Sequence, residues 1–189
     1  MKIGMVTSFV IAALCCWGSA SAETVSDRTG LGGNIVQEAR VKSGNQLRGL
    51  IILEQADRPC VVQVYGNLAP VKEYEGRIDN CKGGGPTKAD GFSENKGEVF
   101  IVGGASYVTG LKVCLSDSSR VKGWTIYGRT NSSPNIVSDS FKRPNCPDDG
   151  WQSRVDCPTG TKAIGVRTYS EPGTGENSDM LRGMQLICN

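Results

Sequence analysis

The stretch Leu47-Arg48-Gly49-Leu50-Ile51-Ile52-Leu53 decides the fold, because the chain contains it in three versions. It returns as Val108-Thr109-Gly110-Leu111-Lys112-Val113-Cys114 and again as Leu181-Arg182-Gly183-Met184-Gln185-Leu186-Ile187-Cys188. Each version is a short run of aliphatic side chains beside a glycine, a pattern typical of a β-strand. Self-similarity at a period of roughly 60 to 70 residues predicts a molecule of nearly three similar units.

Two further elements follow the glycine strands in the same order. Tyr65-Gly66 ends 17 residues beyond Gly49, and Tyr127-Gly128 ends 18 residues beyond Gly110. A third element reads aromatic-x-small-Arg-aliphatic-Asp, as Tyr74-Glu75-Gly76-Arg77-Ile78-Asp79 and as Trp151-Gln152-Ser153-Arg154-Val155-Asp156. Three elements in a common order favour a true internal repeat over chance similarity between strands.

The remaining chain has the spacing of strands and turn-forming residues that is typical of an all-β protein. Short runs of branched residues lie between Gly, Pro, Asn, Asp and Ser, as in a sandwich, a barrel or a prism. We predict repeat units at roughly 40–100, 101–150 and 151–189, with residues 23–39 supplying the strands that the last unit lacks. A closed threefold arrangement would allow this, because closure brings the chain ends together and removes sheet edges.

The first 22 residues have the features of a signal peptide. Lys2 precedes an apolar stretch over residues 6–17, and Ala20-Ser21-Ala22 forms a small-x-small cleavage site. The stretch is shorter than the ~20 residues that a membrane span needs. We therefore expect a single secreted domain over residues 23–189, extracellular, or periplasmic if the source is a Gram-negative bacterium. Cleavage would lower the formal charge from +2 to +1, since Lys2 is lost.

Six cysteines remain after the leader, at positions 60, 81, 114, 146, 157 and 188. An even number of cysteines in an exported chain indicates disulfides, and a zinc site lacks both a CxxC pair and a histidine. The repeat places Cys81 in register with Cys157, and Cys114 with Cys188. It therefore predicts the bonds Cys81–Cys114 and Cys157–Cys188, and Cys60–Cys146 by elimination.

Composition excludes several classes of function. The chain has no histidine, so it has no His-based catalytic triad and no His-ligated metal site. Gly83-Gly84-Gly85-Pro86 lacks the Lys-Ser/Thr of a phosphate-binding loop, and no dinucleotide fingerprint occurs. We predict no metal and no cofactor. A net charge near zero argues against nucleic acid and favours a neutral ligand.

The C-terminal unit resembles one repeat of the vitelline membrane outer layer protein I family. The residues that carry the resemblance are the Trp151…Cys157-Pro158-Thr159-Gly160 start and the Leu181-Arg182-Gly183…Leu186-Ile187-Cys188 end. The family's acidic turn is altered here at residues 175–179. The resemblance implies a β-prism of three Greek-key sheets around a pseudo-threefold axis. Asp149-Gly150-Trp151 with Cys157-Pro158 is also similar to dermatopontin, an extracellular-matrix family.

The third repeated element supplies the candidate ligand-binding residues. Trp151 and Tyr74 would stack on sugar rings if they are exposed in a groove, or pack into the interior. Each is followed by an Arg/Asp pair at i, i+2, so that both side chains share one face of a strand. Such a pair offers a donor and an acceptor to sugar hydroxyls, or forms a surface ion pair; these pairs are Arg77/Asp79 and Arg154/Asp156.

Acid–base catalysis on glycans would need two facing carboxylates. Glu176 and Asp179 in the altered turn are weak candidates, and Asp148-Asp149 is another pair. Asn131-Ser132-Ser133 is a formal glycosylation sequon followed by Pro134. The repeated residues are mainly scaffold types, so we expect a module that binds carbohydrate or extracellular matrix or coat components without catalysis. The alternative is a secreted carboxylate-dependent enzyme acting on amino-sugar polymers.

Overall fold

β-strands form nearly all of the regular structure in the computed structural model, which describes residues 22–55, 58–66, 73–82, 97–102, 106–117, 119–130, 133–174 and 179–189. Within these ranges a short 3-10 turn, Asp148–Gly150, accompanies the strands, and no helix is long and apolar enough to cross a membrane. Most of the leader, the glycine run at 83–86, the sequon at Asn131 and the candidate Glu176 lie outside the described residues. The strands are β1 (Thr24–Val25), β2 (Thr29–Gly30), β3 (Ile35–Arg40), β4 (Gly49–Gln55), β5 (Arg58–Tyr65), β6 (Gly76–Asp79), β7 (Gly97–Phe100), β8 (Ser106–Leu115), β9 (Val121–Thr130), β10 (Ser133–Lys142), β11 (Val155–Asp156), β12 (Ala163–Glu171) and β13 (Met180–Cys188).

The strands form three antiparallel sheets with the same strand connectivity. Sheet I has the order β1-β13-β12-β3 with β2 beside β13, sheet II the order β6-β5-β4-β7, and sheet III the order β10-β9-β8-β11. In sheet II the inner strands β4 and β5 come first, then β6 beside β5, and then β7 beside β4. Sheet III follows the same order, with inner strands β8 and β9, then β10 beside β9, and then β11 beside β8. Sheet I repeats this Greek key with β12 and β13 as its inner strands and N-terminal strands on both sides. The predicted β-prism of three Greek-key sheets is confirmed.

The glycine repeat is real, but its third member is Gly165. Three glycines lie at equivalent places, each on the first inner strand of its sheet and opposite the outer strand that pairs with it. They are Gly49 opposite β7, Gly110 opposite β11 and Gly165 opposite β3. Gly183, which the sequence placed in this register, lies on the second inner strand β13. The third element also occupies two different positions, since its first copy enters β6 and its second copy enters β11.

The disulfides are Cys60–Cys81, Cys114–Cys146 and Cys157–Cys188, with Cα–Cα distances of 5.1, 6.0 and 5.8 Å. The predicted bond Cys157–Cys188 is confirmed, whereas Cys81–Cys114 and Cys60–Cys146 are wrong. The reason is the register error: Cys114 lies on a first inner strand and Cys188 on a second one. Cys81 and Cys114 therefore do not occupy the positions that Cys157 and Cys188 occupy in their sheet. Cys81 instead bonds Cys60, which the pairing of β5 with β6 brings beside it.

The inner faces of the three sheets meet in one apolar core. It is filled mainly by branched side chains, and the indole of Trp124 is completely buried there. Ion pairs on Glu54 join sheets II and III: Nζ of Lys122 on β9 lies 2.9 Å from Oε1 of Glu54 on β4, with side chains only 1% and 10% exposed. Nε of Arg143 lies 3.5 Å from the other oxygen of Glu54. The prism is thus held by apolar packing and by a nearly buried charge cluster.

Candidate functional site

A cavity of about 420 Å³ lies where the chain leaves sheet III for sheet I. We call it the Tyr107 pocket. The start of β8 and the end of β9 form one side, and the crossing segment after β11 forms the other. Its lining residues are Tyr107, Thr109, Arg129, Ile136, Arg154, Asp156, Cys157, Pro158, Thr159, Gly160, Thr161 and Lys162.

The crossing segment is a tight turn fixed at both ends. The backbone N–H of Cys157 donates to the carbonyl of Thr109 at 2.8 Å, and the disulfide ties Cys157 to β13. Both the N–H and the hydroxyl of Thr161 donate to the carbonyl of Pro158, at 3.0 and 2.7 Å. Gly160 has φ +86°, a backbone conformation that glycine adopts without strain. The sequence Cys-Pro-Thr-Gly-Thr therefore builds a rigid wall.

The missing side chain of Gly110 shapes the opposite wall. A Cβ at this position would overlap the Asp156 carboxylate and come within 2.8 Å of Nε of Arg154. Nε of Arg154 donates to Oδ1 of Asp156 at 2.9 Å, and Nη2 donates to the same oxygen. The Arg154 guanidinium carbon also lies 4.0 Å from the ring centroid of Tyr127. The predicted pair Arg154/Asp156 is thus held flat against β8 and β9.

Two further cations face this pocket. Nζ of Lys162 lies 4.3 Å from the ring centroid of Tyr107, a cation–π contact. Arg129 is directly opposite Tyr107 in the β8–β9 pairing and is exposed. No hydrogen bond or ion pair holds its guanidinium within the part of the chain that the structure describes. With Arg154 and Asp156, the lining carries three cations and one carboxylate.

A second cavity, of about 410 Å³, occupies the equivalent crossing from sheet I to sheet II. We call it the Arg40 pocket; its lining residues are Glu23, Arg40, Val41, Lys42, Ser43, Gly44, Asn45, Gln46, Ile164 and Asn189. Nη2 of Arg40 lies 2.8 Å from the Glu23 carboxylate, and Nη1 pairs with Glu38. Hydrogen bonds from Arg40 and then Arg167 hold the pKa of the Glu38 carboxyl below its usual value. Carboxylates therefore satisfy the arginine of this pocket.

The third equivalent position has a different character. Phe100, the last residue of β7, pairs with Gly49, and a Cβ on that glycine would overlap the Phe100 ring. The ring packs edge-on against Tyr65 with centroids 5.3 Å apart. Among the residues described at this crossing, an apolar cluster thus takes the place that Asp156 and Arg40 hold in the other two sheets. The crossing continues through residues 103–105, which lie outside the described ranges.

The other four predicted binding residues lie away from the Tyr107 pocket. Trp151 lies on the outer face of sheet III, bridged to Cys114, with Nζ of Lys112 4.6 Å from its ring centroid. Tyr74 is 48% exposed beside β6 on sheet II, where the Arg77 guanidinium carbon lies 5.8 Å from its ring centroid.

Arg77 and Asp79 form a local ion pair on β6. Of the six candidates, Arg154 and Asp156 line the Tyr107 pocket, and the other four line neither of the two pockets described. Sequence reasoning missed Tyr107, Arg129 and Lys162. The available signal was that Arg129 directly follows the repeated Tyr127-Gly128 element.

Two of the candidate catalytic carboxylates, Asp179 and Asp148, have hydrogen-bond partners. Asp179 accepts a hydrogen bond from the backbone N–H of Gly173 at 2.9 Å and so braces its own loop. Asp148 is almost fully exposed, and a hydrogen bond from Lys142 lowers the pKa of its carboxyl. Within the described ranges, no three Cys, Asp or Glu side chains gather to hold a metal ion.

No protein-family model and no curated protein matches the sequence. Solved structures do match the fold. Calsepa lectin in complex with a biantennary N-glycan has a TM-score of 0.54 at 14% identity, covering 89% of this chain and 97% of its own. Single-chain recombinant jacalin has a TM-score of 0.52 at 8% identity, with coverages of 92% and 98%. Frutalin from Artocarpus incisa has a TM-score of 0.51 at 9% identity, with coverages of 91% and 99%. The chain is thus similar in fold to jacalin-like β-prism lectins.

Proposed function

We propose that this protein is a lectin-like module that binds a glycan in the Tyr107 pocket without catalysing a reaction. The observation that carries the proposal is the pocket itself, a concave site of about 420 Å³ lined by guanidinium, ammonium, hydroxyl and carboxylate groups. Ligand pockets typically measure ~300–1,000 Å³, so this one suits one or two sugar rings. The similar fold of a lectin solved with bisected and biantennary glycans supports the proposal.

The proposal that the pocket does not catalyse a reaction rests on the carboxyl groups in its lining. Asp156 is the single carboxylate among the described lining residues, and Arg154 already bonds it. Glycoside hydrolysis usually needs two carboxyl groups, one with a raised pKa. The lining does not provide such a pair. The alternative of an amino-sugar hydrolase therefore has no support at this site.

The location outside the cytoplasm is part of the proposal. Three disulfides are typical of an oxidising compartment, and the leader-like residues 1–22 provide a route to it. The glycan would then belong to an extracellular coat or matrix. Residue-level resemblance to the vitelline membrane outer layer protein I family, and less closely to dermatopontin, favours the same setting.

A glycan array, probed with the protein recovered from expression of the full chain, tests the proposal. We expect binding to a limited set of glycans, reduced at least tenfold in Tyr107→Ala. Trp151→Phe is the matched control, because that ring lies on the same sheet but outside the pocket. Turnover of chitooligosaccharides that is abolished by replacing one carboxylate would instead support the enzyme. No binding to any glycan, or equal losses in both variants, would refute the proposed site.

A further inference from the structure

We infer that the Tyr107 pocket selects a sugar bearing a carboxylate over the neutral form of the same sugar; this inference rests on the proposed function. The near-zero net charge of the chain pointed to a neutral ligand, but charge is unevenly distributed. Arg129, Arg154 and Lys162 against Asp156 give the lining a formal charge of +2, equal to that of the whole chain. Charge of one sign gathered in a concave site concentrates the field and attracts the opposite charge.

The aromatic rings in and beside the pocket make cation–π contacts with lysine and arginine side chains. Lys162 lies over Tyr107 at 4.3 Å, and Arg154 lies over Tyr127 at 4.0 Å. Just outside the pocket, Lys112 lies over Trp151 at 4.6 Å. A neutral sugar that stacked on the covered face of Tyr107 would have to displace an ammonium group. An anionic sugar would instead meet cations that the rings already hold in position.

Two guanidinium groups retain unused donors. Arg129 is exposed and has no hydrogen bond or ion pair among the described residues. Arg154 uses Nε and Nη2 on Asp156, which leaves Nη1 of its five-donor fork for a ligand. A planar fork matches a carboxylate in a two-bond arrangement, which an ammonium group does not offer. The chemistry of the site thus fits a uronic-acid type of sugar.

The Arg40 pocket provides an internal comparison. It has nearly the same volume and the equivalent place in the fold, yet Glu23 and Glu38 both bond its arginine. Its remaining cation, Lys42, is exposed. Of these two pockets, the Tyr107 pocket is therefore the one expected to select an acidic sugar.

Calorimetry with a galacturonate tetramer and its methyl ester tests this inference, because the ester keeps the sugar and removes the charge. We expect the wild-type protein to bind the acid at least tenfold more tightly than the ester. Arg129→Gln should remove most of that preference, mainly by weakening the binding of the acid, because the guanidinium fork that would bind the carboxylate is lost. Lys42→Gln is the control for loss of one positive charge in the equivalent pocket and should keep the preference.

Other outcomes have separate meanings. Equal affinity for acid and ester would overturn the inference while leaving glycan binding intact. Absence of binding to both, together with a blank glycan array, would refute the proposed function as well. A sulfated tetramer that competes as well as the galacturonate, with equal losses in Arg129→Gln and Lys42→Gln, would show general charge attraction and overturn the selectivity.

Discussion

Replacement of Lys122 by methionine offers a quantitative test of the charge cluster between sheets II and III. The Lys122 side chain is 1% exposed, and its Nζ lies 2.9 Å from Glu54. Removing one partner of a buried ion pair costs ~3–5 kcal/mol, because the other charge is left desolvated. In Lys122→Met, Glu54 retains Arg143 at 3.5 Å, so we expect the lower end of that range, about 3 kcal/mol.

The complementary change should cost more. Glu54→Gln leaves the Lys122 ammonium buried without its carboxylate, and we expect a loss of about 4 kcal/mol. Replacing both residues by methionine removes both charges and keeps apolar volume, which is often neutral or stabilising in buried pairs. Arg143 would lose the Glu54 carboxylate, but its side chain is 22% exposed and reaches solvent. The double variant should therefore be more stable than either single variant.

Urea unfolding with the disulfides intact, followed by tryptophan fluorescence, measures these free energies, because unfolding exposes the buried Trp124. For a domain of this size, a loss of about 3 kcal/mol corresponds to a fall in Tm of roughly 6–12 °C. Lys142→Met is the control, because Lys142 pairs with Asp148 at the surface and its loss should leave the midpoint unchanged. A Lys122→Met protein within about 1 kcal/mol of the wild type, at an unchanged m-value, would refute the reasoning.

Three further outcomes are expected. Peptide mapping without reduction should recover Cys60 joined to Cys81 and Cys114 joined to Cys146; recovery of Cys81 with Cys114 would contradict the structure and restore the repeat-based pairing. Gly97→Ala should destabilise by about 1–3 kcal/mol in urea unfolding, because its Cβ would overlap the buried Trp124 ring, whereas Gly32→Ala meets only the end of the Arg28 side chain at 3.4 Å and should behave as the wild type. Burial raises the pKa of Tyr65 from 10.0 to about 12, so its stabilising contribution is complete below pH 10 and is lost as pH rises towards 12. Tyr65→Phe should lack that alkaline loss, up to about 2 kcal/mol in pH-dependent unfolding, and an identical alkaline profile in both proteins would contradict the assignment.

The strands and the fold class were predictable because each glycine strand has a local signature. The alignment of the third repeat was not predictable, because two different glycines, Gly165 and Gly183, each lie against a neighbouring backbone with no room for a side chain. Gly165 lies under the backbone of β3, where a Cβ would overlap the carbonyl of Ala39. Gly183 lies under the segment that joins β2 to β3, where a Cβ would overlap the carbonyl of Leu31. Both positions demand a glycine, and each glycine is followed by a buried apolar residue, Val166 or Met184, so the local pattern alone does not distinguish them. The disulfide errors followed from this ambiguity.

The candidate site was predictable only where its residues are close in sequence. Arg154 and Asp156 share a strand face at i, i+2 and pair as their spacing allows. Lys162 and Tyr107 meet only because the chain crosses between sheets, 55 residues apart in sequence. Arg129 is likewise brought beside Tyr107 by hairpin pairing. The aromatic candidates Trp151 and Tyr74 were chosen by type, and type does not reveal that a cation lies against each ring.

Sheet I joins the earliest and the latest strands of the chain, and this imposes an order on folding. β3 pairs with β12, which begins about 120 residues later, whereas sheets II and III are assembled from strands closer in sequence. The partner strand of β3 is therefore synthesised only after the strands of sheets II and III. The two charged residues of this edge strand, Glu38 and Arg40, limit unwanted pairing in the interval. A chain that stops before residue 180 lacks β13 and leaves the prism open on one side. Loss of β13 would also remove the Cys157–Cys188 disulfide, so one strand both closes sheet I and cross-links it.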